Sequence, residues 1–228
     1  MPGAVIIGAG PGIGRSVARR FAAEGMAVAL ISRTPASLDA AAEAVTPLGT
    51  PVVRLRADSA DETELRGALD RAVEAFGPPE AVVYNAAVVR PDAPGELTVR
   101  GHQHAWAVNV VGALTAAAHT APLMARHGGG TFIVTGGMPE PKSAYVSLSL
   151  GKAGVRTLVD LLDQEYGPSG VHFASVTVAG PVAPGTDFDP DDIAEHYWRL
   201  HTQQRSAWQR EVLHDGTARA HADDNHPG

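Results

Sequence analysis

Four glycines near the start of the chain form a turn whose spacing is typical of phosphate binding. Gly8, Gly12 and Gly14 fit the pattern G-x-x-x-G-x-G, and Gly10 lies between the first two. The more common pattern G-x-G-x-x-G would need glycine where Ile13 stands. Glycine lets the backbone turn tightly and brings N–H groups close to a pyrophosphate at a helix N-terminus. This stretch therefore predicts a dinucleotide site.

Lysine is rare in the chain, which makes the position of one lysine informative. Lys142 and Lys152 are the only lysines, and the other 16 of the 18 basic residues are arginine. A lysine ammonium is a compact, rotatable charge, whereas arginine presents a rigid planar fork. We therefore expect Lys152 to occupy a position where a compact ammonium is needed.

The segments that would position these residues alternate between strand-like and helix-like patterns. The predicted strands are residues 5–7, 27–31, 52–55, 81–84, 131–134, 171–178 and 211–213. Helices are predicted from residue 15 onward and at 37–45, 61–76, 99–126, 147–166 and 190–200. This alternation is typical of a doubly wound parallel sheet with helices on both faces. We expect one Rossmann-type α/β domain of about seven strands at residues 1–216, with a disordered polar tail at 217–228.

The composition disfavours several partners and excludes some chemistry. With 25 acidic and 18 basic residues, the 228-residue chain has a net charge of −7, so nucleic acid is not an expected partner. The chain has no cysteine, which excludes disulfides and thiolate chemistry. We see no apolar run near the ~18 residues of a membrane span and no signal-peptide pattern. We therefore expect a cytoplasmic protein that acts on a small molecule, with no membrane partner.

Four stretches in chain order resemble motifs of the short-chain dehydrogenase/reductase family. The family motif T-G-x-x-x-G-I-G appears at residues 7–14, with isoleucine in place of threonine. The acidic residue that family members place near the adenine corresponds to Asp58, which precedes Ser59. The motif N-N-A-G is reduced to Tyr-Asn-Ala-Ala at 84–87, and the helix-borne asparagine corresponds to Asn109. The resemblance extends to about residue 216 and implies an NAD(P)-dependent oxidoreductase.

The end of the second predicted strand indicates which dinucleotide is preferred. An NAD site has a carboxylate here for the ribose 2′-hydroxyl, whereas an NADP site has a cation for the 2′-phosphate. This chain has Ser32, Arg33 and Thr34 and no carboxylate. Arg33 can form a charge-assisted contact worth roughly 1.5–3 kcal/mol, although a solvated surface arginine is the alternative. We therefore predict NADP(H) over NAD(H).

Together, the residues and the resemblance assign a set of cofactor contacts. The predicted cofactor-binding residues are Gly8, Gly10, Gly12, Ile13, Gly14, Ser32, Arg33, Thr34, Asp58, Ser59, Asn85, Ala86, Ala87, Lys152 and Gly180. No metal is expected, because pairs such as His102 and His104 lie two residues apart and so on different faces of a helix.

The catalytic segment departs from the family pattern. Family members have a serine at the end of the fifth strand and the motif Y-x-x-x-K in the next helix. The resemblance implies that Lys152 holds the nicotinamide ribose, but Leu148 stands at the tyrosine position. Gly136 and Gly137 stand where the serine pair would be. The cofactor part of the machinery is thus predicted to be present, and the proton-transfer part absent.

Two other residues are candidate replacements for the missing groups. Tyr145 lies seven residues before Lys152 and could reach the same site only from the loop before the helix. Thr135 could stand in for the serine. Each has a structural alternative, Tyr145 at the rim of a pocket and Thr135 packed in the sheet. The candidate catalytic set is therefore Lys152, Asn109, Tyr145 and Thr135.

The segment after the sixth predicted strand is short. The family's P-G turn corresponds to Gly180 and Pro181, and only residues 182–189 precede a helix with Asp189 as its expected N-cap. A missing lid implies a more open pocket, or a pocket closed by another subunit. Tyr197, Trp198 and Trp208 are candidates to cover the pocket, although packing at the sheet edge is the alternative.

Three functions remain open on the sequence alone. The first is an atypical NADP(H)-dependent oxidoreductase that transfers hydride to a small carbonyl, enone, quinone or imine substrate. Positioning contributes about 7–11 kcal/mol and a general acid 10²–10⁴ in rate, so hydride transfer can survive loss of the tyrosine. The second is an NADP(H)-binding sensor or partner subunit without catalysis, and the third a non-redox enzyme on the same fold. By analogy with the family, whose helices at Asn109 and Lys152 pair between subunits, we expect a homodimer or homotetramer.

Overall fold

The computed structural model describes residues 3–217, which form one seven-stranded sheet in which every strand pair is parallel. Except for Thr217, the predicted tail lies outside the described residues. The strands are β1 (Gly3–Ile7), β2 (Ala27–Ser32), β3 (Val52–Arg56), β4 (Ala81–Tyr84), β5 (Gly130–Thr135), β6 (Val171–Val178) and β7 (Glu211–His214). Their order across the sheet is β3-β2-β1-β4-β5-β6-β7. The predicted doubly wound α/β fold is confirmed.

Helices cover both faces of the sheet. They are α1 (Ile13–Ala23), α2 (Pro35–Val45), α3 (Glu62–Phe76), α4 (Val99–Trp106), α5 (Gly112–Arg126), α6 (Val146–Tyr166) and α7 (Pro190–His201). Apolar residues of α3, α5 and α6 form the core on one face, and those of α1, α2 and α7 form the core on the other. The central strands are buried on both faces, which explains their continuous apolar runs.

The predicted helix at 99–126 is interrupted in its middle. Residues Ala107–Val111 form a π-helical turn between α4 and α5, and Asn109 lies within it. By length and composition alone, the run 99–126 could cross a membrane, contrary to what the sequence suggested. An 18-residue stretch of this run is 56% buried, and Ala113, Ala116 and Ala117 belong to the core. Packing against the sheet therefore accounts for the apolar character of the run.

The strand order places one crevice at the carboxyl edge of the sheet. β1 pairs with β2 on one side and with β4 on the other. The chain therefore adds strands on one side of β1 as far as β3 and on the other side from β4 onward. Ligands of doubly wound sheets bind in this crevice, outside the carboxyl ends of the strands. The turn after β1, Asn85 after β4 and Thr135 at the end of β5 all lie at this edge.

Candidate functional site

The turn after β1 can exist only with glycine at two of its positions. Gly8 has φ +86°, and a Cβ there would lie 2.4 Å from the Ala86 nitrogen. A Cβ at Gly14 would lie 2.3 Å from the Gly8 carbonyl oxygen. The backbone of β1 and the start of α1 are therefore packed directly against each other and against the end of β4.

The space in front of α1 suits a pyrophosphate. Gly12 is the N-cap of α1 and no side chain caps the helix; of the first-turn N–H groups, that of Arg15 donates to the Gly10 carbonyl at 2.9 Å. A Cβ at Gly12 would meet nothing within 4 Å, and one at Gly10 would meet only the Gly8 oxygen, at 4.0 Å. A positive helix end that has no side-chain cap and faces open space is a feature that binds phosphate groups.

Two adjoining cavities follow the carboxyl edge of the sheet. The smaller has a volume of about 180 Å³ and the larger about 1030 Å³, and Gly10, Asn85 and Ala87 line both. Of the other predicted site residues, the smaller cavity is lined by Gly8, Ser32, Arg33, Ser59 and Ala86. The larger is lined by Gly12, Ile13, Thr135, Tyr145, Lys152 and Gly180. The arrangement suits a long ligand that spans both cavities, with the pyrophosphate between them.

Three predicted cofactor contacts, Asp58, Thr34 and Gly14, have local roles instead. Asp58 does not line either cavity, because its Oδ1 accepts from the Ala60 N–H at 2.9 Å in a tight turn. Thr34 is the exposed N-cap residue of α2, and its hydroxyl donates to Ser37 Oγ at 2.8 Å. Gly14 also lies outside both linings and serves the close packing of the turn.

Arg33 lies at the end of β2 on the wall of the smaller cavity. Its side chain is exposed, and its carbonyl oxygen accepts from Arg56 Nε at 3.2 Å. Two arginines therefore stand at the ends of neighbouring strands. Within the described residues, neither forms an ion pair with a carboxylate.

Lys152 is a buried cation on the wall of the larger cavity. Its side chain is only 6% exposed, and its Nζ donates to the Thr135 carbonyl oxygen at 2.5 Å. No described carboxylate forms an ion pair with it. Burial lowers the pKa of Lys152 to about 8, because removal from water disfavours the charged form.

The groups that would assist proton transfer are replaced by hydrocarbon and backbone. Leu148 lies one helical turn before Lys152, is buried and lines the larger cavity. A Cβ at Gly136 would lie 2.4 Å from Thr177 Oγ1, so the fold has no space for a serine there. The Arg156 guanidinium holds the following loop by donating to the carbonyls of Gly137 and Met138.

Thr135 belongs to a hydrogen-bonded chain across the sheet edge. Its hydroxyl donates to Asn85 Oδ1 at 2.8 Å and lies 2.6 Å from the Tyr197 hydroxyl. A threonine hydroxyl has one proton, so Tyr197 is the donor in this second bond. Asn85 Nδ2 in turn donates to the Gly8 carbonyl at 2.9 Å. The only proton of the Thr135 hydroxyl is thus committed to Asn85, which disfavours a role for Thr135 as a replacement for the serine.

Tyr145 lies just before α6, which is the position from which it was expected to reach the site. It precedes α6 directly, is half-buried and lines the same cavity as Lys152. The buried Asp92 carboxylate accepts from both the Ser147 N–H and the Ser147 hydroxyl. The Asp92 backbone also pairs with residues 144 and 146. Asp92 therefore caps α6 and fixes the segment that positions Tyr145.

Asn109 is not brought into either cavity. Its Oδ1 accepts from the Val88 N–H at 2.7 Å, and its Nδ2 contacts the Val88 carbonyl at 3.5 Å. A Cβ at Gly151 would lie 2.9 Å from the Asn109 Cβ, so α6 passes very close to this turn. Asn109 therefore secures the loop after β4, and any catalytic part for it is indirect.

Sequence reasoning missed Asp92 and Arg156, which shape the site, and it did not identify the role of Tyr197. Tyr197 is fully buried beneath the end of β5 and does not cover the pocket. Burial raises the pKa of its hydroxyl well above the usual value.

Asp189 is the N-cap of α7, as predicted. Within the described residues, no group of three His, Cys, Asp or Glu side chains could hold a metal.

The fold and this edge define a dinucleotide-binding α/β protein with a substrate cavity beside a buried lysine. Residues 3–191 match the family described as short chain dehydrogenase. A short-chain dehydrogenase/reductase of Armillaria gallica is 30% identical over 187 residues, which are 78% of this chain and 70% of that protein. The chain therefore belongs to the short-chain dehydrogenase/reductase family, whose members are oxidoreductases that bind NAD or NADP.

Two further relatives agree with this assignment. The cis-4-hydroxycyclohexanecarboxylate dehydrogenase of Sinomonas cyclohexanicum is 30% identical over 187 residues, 80% of this chain and 72% of that protein. The X-ray structure of an alcohol dehydrogenase from the archaeon Thermococcus sibiricus, complexed with 5-hydroxy-NADP, superimposes with a TM-score of 0.84 at 25% identity. The match covers 93% of this chain and 95% of that one.

Proposed function

We propose that this protein is an atypical NADP(H)-dependent oxidoreductase that reduces a small carbonyl, enone, quinone or imine compound by hydride transfer. The observation that supports it best is that the glycine turn and the buried Lys152 line two adjoining cavities that share Gly10, Asn85 and Ala87. The bound dinucleotide would supply the hydride. The protein would supply the helix N-terminus for the pyrophosphate and Lys152 for the nicotinamide ribose.

The preference for NADP(H) rests on charge at the smaller cavity. Arg33 lines it, the Arg56 side chain donates to the Arg33 carbonyl, and the end of β2 has no carboxylate to accept a ribose 2′-hydroxyl. A 2′-phosphate would find two guanidiniums there. The Thermococcus sibiricus relative, bound to 5-hydroxy-NADP, is consistent with this choice.

Calorimetric titration with NADPH and with NADH tests the preference directly. We expect the parent protein to bind NADPH at least tenfold more tightly, and Arg33→Ala to lose about tenfold for NADPH alone, since a charge-assisted contact contributes roughly 1.5–3 kcal/mol before solvent screening. Arg54→Ala is the matched control, because this exposed β3 arginine faces Asp39 instead of the cavity. Tighter binding of NADH by the parent would refute the preference.

The substrate class follows from the cavity wall. Leu148 is apolar where an acid would assist, and the Thr135 hydroxyl is already engaged. Substrates that accept hydride without strong protonation are therefore favoured, with water or Tyr145 completing the proton transfer. NADPH oxidation across a panel of enones, quinones, imines and activated carbonyls tests this, and no turnover above background for any of them would count against it.

The loss of proton-transfer groups also supports a second candidate, an NADP(H)-binding protein without turnover. Gly136 cannot be a serine in this backbone, so the departure involves the backbone as well as the side chains. This candidate predicts tight dinucleotide binding together with inactivity on the whole panel. The titration and the oxidation assay thus separate the two functions.

We expect the protein to form a homodimer through the helices that carry Asn109 and Lys152. Apolar side chains that are 42–58% exposed lie along this surface, at Trp106, Val111, Leu114, Leu150 and Leu161. A second copy would cover them. Light scattering should give twice the monomer mass, and a charge placed by Leu161→Glu should shift it to the monomer, whereas Leu48→Glu on an unrelated surface should not.

A further inference from the structure

Lys152 lines the larger cavity, and its buried amine has few polar partners. Its only hydrogen bond among the described residues is to the backbone carbonyl of Thr135. Among these residues, no carboxylate pairs with it, and no phenol stands one turn before it on α6, where Leu148 is found. The Lys152 ammonium is therefore buried without the opposite charge that normally compensates such burial.

Gly137 leaves the approach to this amine uncovered. Its missing Cβ would lie 3.7 Å from Lys152 Cε and 3.8 Å from Cγ, so a side chain there would lie against the lysine stem. The cavity volume of about 1030 Å³ is ample for a small organic molecule. Exposed residues such as Val89 and Glu140 line its rim, which connects the amine to solvent.

These surroundings change the chemistry of the amine. A lysine that is desolvated in an apolar pocket has a larger uncharged fraction near neutral pH than an exposed lysine, and a neutral amine is a nucleophile toward carbonyl carbon. The direction of the shift, a lowering of the pKa of Lys152 to about 8, agrees with this environment.

We propose that Lys152 is a covalent binding site for small apolar aldehydes and ketones, which it captures as imines when no dinucleotide is bound. The Nζ lone pair forms a bond to the carbonyl carbon as the C=O π bond breaks, and the proton that nitrogen then releases passes to the carbonyl oxygen to give a carbinolamine. Loss of water then gives the imine, and addition of water reverses it. No oxidant or reductant is needed.

This inference shares its cavity with the proposed function but does not depend on it. A dinucleotide held by the Lys152 ammonium would compete with carbonyl capture at the same nitrogen. Bound NADPH should therefore protect Lys152 from carbonyl compounds. Capture without protection would leave the imine site intact and remove support for the dinucleotide site.

Reductive trapping with propanal and sodium cyanoborohydride tests the proposal on the whole protein. The chain has only two lysines, so peptide mass spectrometry can assign each propyl group without ambiguity, and the exposed Lys142 is an internal reference. We expect Lys152 to be labelled at pH 7.5 at least tenfold faster than Lys142. Lys152→Arg should lose this fast phase and keep the slow labelling of Lys142.

The labelling pattern and two controls decide whether the proposal holds. Labelling of Lys142 without Lys152, or equal rates at the two, would overturn the proposal. A mixture of aldehyde and protein without cyanoborohydride should leave no stable adduct after dilution, because the imine hydrolyses. A circular dichroism spectrum of Lys152→Arg that matches the parent excludes misfolding as the reason for lost labelling.

Discussion

Replacement of Lys152 by methionine should stabilise the fold at neutral pH. Burial lowers the pKa of Lys152 from 10.5 to about 8, which at ~1.4 kcal/mol for each pKa unit makes the buried ammonium unfavourable by about 3 kcal/mol. Methionine removes that penalty and fills a similar volume. It also removes the hydrogen bond to the Thr135 carbonyl, a loss of about 1–3 kcal/mol. The net expectation is a gain of about 1 kcal/mol at pH 7.

The pH dependence of the same variant is the sharper test. Below pH 8 both folded and unfolded parent chains hold the proton, and the penalty is complete. Between pH 8 and 10.5 the unfolded chain binds more protons than the folded one, so the stability of the parent rises with pH. The advantage of Lys152→Met should therefore shrink by about 2 kcal/mol between pH 7 and pH 9.5, and its sign should reverse.

Urea unfolding followed by circular dichroism at pH 7.0 and 9.5 measures both quantities. Lys142→Met is the matched control, because that exposed lysine should change stability by no more than about 0.5 kcal/mol at either pH. If Lys152→Met lost more than about 1 kcal/mol at pH 7, or differed from the parent by a constant amount at both pH values, the account of this lysine as an uncompensated buried cation would be refuted.

Three further predictions concern the surroundings of Lys152 and the opposite face of the sheet. Leu148→Tyr, which places a phenol one turn before Lys152, should raise NADPH-dependent carbonyl reduction about 10²-fold in steady-state assays; intact NADPH binding with no gain would contradict it. Asp92→Ala should cost about 2 kcal/mol in urea unfolding, because α6 loses its cap at Ser147; an unchanged midpoint would contradict it. Burial lowers the pKa of His196 to about 4, so stability should fall from pH 6.5 toward 4 as the unfolded chain takes up the proton first, and His196→Gln should reduce this slope, measured by thermal unfolding.

The fold and the glycine turn could be predicted because local patterns determine them. Continuous apolar runs marked the buried strands, and the spacing of Gly8, Gly12 and Gly14 marked the turn. Asp189 before Pro190 marked the start of α7, where the side chain caps the helix as expected. In each case the residues that determine the structure lie within a few positions of one another.

The parts of the site that sequence reasoning missed depend on contacts between distant segments. Asp92 caps a helix 55 positions away, and Tyr197 lies 62 positions from Thr135. Asp58 matched a family position, but its carboxylate turns toward Ala60 in a local turn. No periodicity or motif reports the pairings of Asp92 and Tyr197, because they arise only when the fold brings distant segments to the ends of β4 and β5.

Arg156 and Lys152 are cations on one face of α6, and the fold depends on them to different degrees. Arg156 holds the loop after β5 through two carbonyls, and it remains partly exposed, so its charge is solvated. Lys152, one turn earlier, holds a single carbonyl and is buried at a cost to stability. A neutral side chain of the same length would serve packing better at that position. The fold therefore gains little from this ammonium, which agrees with the two roles proposed for it, contact with the ribose of a dinucleotide and capture of a carbonyl carbon.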